Sequence, residues 1–115
     1  MKSFELNSQI LEIKDTLLEI KSKLKKLYEE RFVELILYGS YARGEARDES
    51  DVDLALILKG TVNTFQEIDK IYVVIYDLSL KYDKIFSILP ISEKYFKRQQ
   101  TTFMELIKEE GFQFG

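Results

Sequence analysis

Apolar residues recur at alternating steps of four and three along the start of the chain: Leu6, Ile10, Ile13, Leu17, Ile20, Leu24 and Leu27. That spacing puts them on one helical face and predicts a single amphipathic helix from about Asn7 to Glu30. The same period would serve a short coiled coil, but the plainer expectation is a helix lying on its own sheet. Then the period changes. Phe32 to Tyr38 is apolar at nearly every position, as a strand covered on both faces requires. Val52 to Leu58 reads the same way, and Lys59-Gly60 closes it. Thr64 with Glu67 matches a capping box, and Phe65, Ile68, Ile71, Tyr72, Ile75 and Leu78 give the following helix a buried stripe. Lys84 to Leu89 is predicted as a third strand, with Pro90 marking a strand end or sheet edge. Ser92 would cap a last helix that carries Phe96, Phe103, Leu106 and Ile107 and stops at Gly111.

The order helix, strand, strand, helix, strand, helix predicts an α+β fold: a small mixed sheet packed with helices. No repeat or linker interrupts it, and 115 residues suit one domain spanning 1–115. The aromatic residues fall at core spacing rather than as a platform for stacking bases.

Composition narrows the chemistry. Hydrophobic residues make up 45% and charged residues 32%, as in globular rather than disordered chains. No apolar run approaches the roughly 18–20 residues of a membrane span, and no signal-peptide pattern opens the chain, so a cytoplasmic place is expected. There is no cysteine and no histidine. Disulfides, thiolate catalysis, the Ser-His-Asp triad and His- or Cys-ligated metals are thereby excluded. Catalysis would rest on carboxylates, hydroxyls, Lys, Arg, Tyr or a bound ion. A net charge of −3 gives no sign of a nucleic-acid surface.

One stretch departs from simple patterning. The second apolar run opens on Asp51 and Asp53, which lie two apart on a strand and so project to one face. Unpaired, they repel and raise each other's pKa. A divalent cation removes that cost, and Mg²⁺ favours one or two carboxylates together with phosphate oxygens and water. Gly39-Ser40 ends the first strand; glycine lets the backbone approach a ligand, and the following amides and hydroxyl can bond phosphate. A helical turn at "YARG" would add its first N–H groups, and Arg43 and Arg47 would neutralise phosphate charge. Strand one would hold the phosphates and strand two the metal. Phosphoryl and nucleotidyl transfer need little else. Each piece alone is weak, but G-S, ten residues, then D-x-D matches by chance on the order of once in a thousand chains of this size.

"GSYARGEARDESDVD" resembles the signature of the polymerase-β-like nucleotidyltransferase superfamily, and is most similar to the minimal nucleotidyltransferases (MNT proteins). "YDKIFSILPIS" and "FMELIKEEGFQF" resemble that group as well. The resemblance implies a minimal nucleotidyltransferase fold, Mg²⁺ and ATP as substrate. It implies that Gly39 and Ser40 bind the triphosphate and that Asp51 and Asp53 hold metal and act in catalysis. The family's third carboxylate lies on the next core strand, where Asp83 is the candidate metal ligand and catalytic residue, with Asp77 as a rival. Many MNT proteins are antitoxins of helical HEPN ribonuclease toxins. The implied reaction is therefore transfer of AMP to a tyrosine hydroxyl of a HEPN partner, with no membrane and no direct nucleic acid involved. Two alternatives stand beside it. One is a non-catalytic module that occludes its partner through the Leu/Ile face of the first helix. The other is a small-molecule nucleotidyltransferase, for which acceptor-binding sequence is missing.

Overall fold

The structure, a computed structural model, describes residues 7–98 and 101–113. Leu6 of the first stripe and the last phenylalanine of the "FMELIKEEGFQF" segment lie outside them. The chain runs through α1 (Ser8–Glu12), α2 (Lys14–Tyr28), β1 (Phe32–Tyr38), α3 (Ser40–Arg43), β2 (Val52–Leu58), α4 (Thr64–Tyr82), β3 (Phe86–Ser92), α5 (Glu93–Arg98), α6 (Thr102–Glu110) and β4 (Phe112–Gln113).

The four strands form one mixed sheet in the order β3-β2-β1-β4. β2 pairs antiparallel with β1 and parallel with β3, while β4 pairs antiparallel with β1. Both faces are covered, which explains the near-continuous apolar runs of β1 and β2. On one face, Leu35, Leu37, Leu54, Leu56 and Leu58 meet Ile10, Leu17, Ile20 and Leu24 of α1 and α2, and Ile71, Ile75 and Leu78 of α4. On the other, Ile36, Ala55 and Ile57 meet Ile91, Phe96, Met104 and Ile107. Asp53 shares its face with Ala55 and Ile57, because alternate strand residues point the same way.

Several sequence expectations need correction. The first helix is two: Ile13 (φ −104, ψ 10) leaves helical geometry between α1 and α2, although its side chain stays buried and keeps the stripe continuous. With that stripe in the core, it offers no face to a partner. The cap of α4 is Asn63, whose side chain accepts from the Gln66 amide at 3.2 Å. Glu67 does not close a capping box. It is buried and accepts from the Tyr28 hydroxyl at 3.0 Å; burial, and then this bond, push the Tyr28 pKa far up. Phe65 and Tyr72 lie outside the core at 83% and 63% exposure, and Ile68 is also exposed. The third strand begins two residues later than predicted and continues through Pro90 to Ser92, which an edge strand permits. Ser92 does cap α5, accepting from Tyr95 N at 3.2 Å, but the last helix is divided into α5 and α6. Phe103 and Leu106 are exposed while Met104 and Ile107 are buried. Gly111 follows α6 as expected, but in extended backbone (φ −64). It is glycine for space: a Cβ there would stand 2.3 Å from the Ile107 carbonyl oxygen and 2.6 Å from Ile36 Cγ2.

Candidate active site

β1 and β2 are antiparallel, so the end of one lies beside the start of the other, and Tyr38 pairs with Asp53. The next residue, Gly39, has φ 79 and ψ −156, backbone that only glycine adopts readily. A Cβ on Gly39 would stand 2.3 Å from Asp53 Oδ2. The Gly-Ser step and the second carboxylate are thus in direct contact across the strand pair. Ser40 opens the helical turn α3, which Gly44 ends in left-handed backbone at φ 74.

That turn is held from outside. Asn7 Nδ2 donates to the carbonyls of Tyr41 (3.0 Å) and Ala42 (3.2 Å). Gln9 donates to the Ala46 carbonyl at 2.7 Å and accepts from the Ala46 amide at 2.8 Å. Lys84 Nζ donates to the Tyr41 hydroxyl at 2.9 Å. α1 and the segment before β3 therefore fix the loop that carries the Gly-Ser step. Sequence reasoning missed these residues, because their partners lie more than thirty positions away.

Asp51 is exposed and Asp53 half-buried. Burial, then the charge of Asp51, raises the Asp53 pKa above the ordinary carboxylate value, with Arg43 opposing. Beside it, burial and then the Asp53 charge push Tyr38 up. A paired carboxylate environment of this sign is one that a cation would relieve. The donor set is two hard oxygen groups, Asp53 on β2 and Asp51 immediately before it, which suits a magnesium ion that also takes phosphate oxygens.

Asp83 does not open the third strand. It is the C-cap of α4, a left-handed residue at φ 51. Position 87 takes the place parallel to Asp53, and Ser87 Oγ stands 3.5 Å from Asp51 Oδ2. Among the described residues, no group of three or more acidic side chains is placed to hold one metal ion. Asp83 approaches the pair only as a wall of a shallow depression of about 420 Å³, lined also by Asp51, Ser79 and Lys84. With Arg47 it lines a second, polar depression of about 290 Å³. Asp77 lies on the exposed side of α4.

Arg43 is near the glycine but engaged. Its Nε donates to Glu45 at 3.0 Å and its Nη1 to Glu110 at 3.1 Å, and these bonds raise its pKa. Glu110 also accepts from the Gly39 amide at 3.1 Å. Nothing in the local sequence marks Glu110, since it lies 71 positions from Gly39. Beyond the carboxylates, a cavity of about 600 Å³ lined by Tyr38, Tyr72, Tyr76, Ser87 and Leu89 runs over the edge of β3 onto α4.

Residues 17–110 match the family model described as "Nucleotidyltransferase domain". A Methanocaldococcus jannaschii protein named "Putative protein adenylyltransferase" is 35% identical over 101 residues, covering 88% of this chain and 97% of its own. A toxin–antitoxin crystal structure with AMP-PNP superposes with a TM-score of 0.59 at 18% identity, over 83% of this chain and 69% of that one. A crystal structure described as "a putative nucleotidyltransferase from Sulfolobus solfataricus" gives 0.53 at 19%, over 97% and 91%. The two structural likenesses speak for the fold.

Proposed function

The chain belongs to the nucleotidyltransferase domain family and is a nucleotidyltransferase; from that premise we propose that it transfers AMP from ATP to a tyrosine hydroxyl of a partner protein. The contact between Gly39 and Asp53 carries the reading, because it joins the phosphate-binding turn to the acidic pair. The proposed roles follow from placement. The Gly39-Ser40 backbone receives the triphosphate, and Asp51 and Asp53 hold magnesium. Bound there, magnesium would neutralise triphosphate charge and polarise the phosphoryl group under attack. The tyrosine oxygen bonds to the α-phosphorus as the bond to pyrophosphate breaks. Asp83, which lines the same depression as Asp51, is the proposed acceptor of the phenol proton.

The partner proposed is a HEPN-type helical toxin, with this chain as its antitoxin. Support comes from the MNT resemblance, from the relative's name, and from the toxin–antitoxin structure with AMP-PNP. The test is incubation with labelled ATP, magnesium and a HEPN-type helical protein encoded by the same organism. Label should appear on the partner and vanish with Asp51→Ala plus Asp53→Ala. Absence of label with both proteins folded refutes the reading.

One observation favours a second reading, neutralisation by occlusion. α4 exposes Phe65, Tyr72, Val73 and Leu80 at 63–83%, a surface suited to a protein partner. Neutralisation that survives in the double variant at equal expression would select it.

A further inference from the structure

Glu110 ends α6 and reaches across to the turn after β1. Its Oε1 accepts from the Gly39 amide at 3.1 Å and from Arg43 Nη1 at 3.1 Å, and its Oε2 lies 3.3 Å from the same Nη1. A backbone N–H and a guanidinium converging on one anionic oxygen form the donor set a phosphate oxygen would take. The side chain is 17% exposed against 43% for Arg43, so the carboxylate is the more shielded partner of the pair.

A triphosphate arriving at Gly39 would therefore meet a negative charge already using the donors it needs. Both cannot use them together. Asp53 lies against the same glycine, which makes a third anion there costlier still. We propose that Glu110 is an internal competitor for the phosphate position, exchanged for a phosphate oxygen when the triphosphate binds, and that it thereby sets nucleotide affinity. The identity of the ligand rests on the nucleotidyl-transfer reading above.

The exchange is a side-chain rotation rather than a movement of α6. Gly111 is wedged between the Ile107 carbonyl and Ile36, and Phe112 and Gln113 pair with Leu37 and Ile36. The backbone on the C-terminal side of Glu110 is thus anchored to β1. Glu110 itself is the last helical residue and projects towards solvent-accessible Arg43. Arg43 would keep Glu45 at its Nε while Nη1 changes partner.

The test is calorimetry with magnesium-ATP, magnesium-tripolyphosphate and adenosine on wild type, Glu110→Gln, Glu110→Ala and Asp53→Ala, with melting temperatures as a check on folding. Removing the competing charge should tighten both phosphate ligands by roughly 3- to 10-fold in the two Glu110 variants, the range of a partly exposed charged pair. Adenosine, having no phosphate, should be unaffected. Unchanged or weaker phosphate binding in folded Glu110 variants overturns the proposal and leaves Glu110 as a strut for the turn. Magnesium-ATP binding should weaken in Asp53→Ala, and ATP binding that is absent from every protein tested overturns the nucleotide reading and the competitor with it.

Discussion

At the residue scale the site depends on one missing side chain. Gly39→Ala would place a methyl 2.3 Å from Asp53 Oδ2 in backbone at φ 79. It should cost about 1–3 kcal/mol in urea denaturation and weaken magnesium-ATP binding at least tenfold. Wild-type binding in that variant would separate the turn from the nucleotide. Asp53 gives a pH test. Its pKa is raised in the folded protein by burial and by Asp51, so the folded state holds that proton more tightly than the unfolded chain. Its stabilising contribution is full below the ordinary carboxylate range and is lost as pH rises through the raised value. Asp53→Asn should therefore melt above wild type at neutral pH, and the difference should vanish in acid. Equal melting across pH would contradict the assignment. Asp83→Asn tests a different role: transfer to the partner should slow at least tenfold with ATP affinity unchanged.

At the element scale the cap of α4 is the sharpest test. Asn63→Ala removes the acceptor for Gln66 N and should cost about 1 kcal/mol in urea denaturation, whereas Thr64→Ala should stay within about 0.5 kcal/mol. The reverse order would restore the capping box that the sequence suggests. That box misleads because Thr-x-x-Glu fits the pattern, while Glu67 is drawn inward by Tyr28 from another helix. α4 was legible as a helix but not in its rotation. Apolar residues occupy two stripes, and only packing chooses Ile71, Ile75 and Leu78 over Phe65 and Tyr72. β1 and β2 were legible because both faces are covered and no alternation is needed to recognise them. β4 was not: two residues carry no period, and it exists through pairing with Ile36 and Leu37. The break at Ile13 is hidden for the opposite reason, since its side chain keeps the apolar spacing unbroken.

At the scale of the whole molecule, the site is a product of sheet order. The ten-residue interval from Gly-Ser to the acidic pair made the candidate site legible, because the intervening loop returns β2 antiparallel beside β1 and brings the two segments together. What closes the site comes from farther away and left no local mark: Asn7 and Gln9 from α1, Ser87 from β3, Glu110 from α6. Asp83 was misplaced on β3 because "YDKIF" looks continuous, whereas the left-handed turn at Asp83 intervenes before the strand starts at Phe86. A ligand that bridges the ends of β1 and β2 ties together the two strands on which both core faces are built. Its binding should therefore register as global stability rather than as local ordering. At a hundred times its dissociation constant, magnesium-ATP should add about 2.7 kcal/mol, raising the melting temperature on the order of 10 °C for a chain this size. ATP with a magnesium chelator should give little of that shift, and Asp51→Ala with Asp53→Ala should give none. An equal shift without magnesium would mean that the triphosphate is held by the turn and its cations alone, and the acidic pair would lose its assigned part in binding.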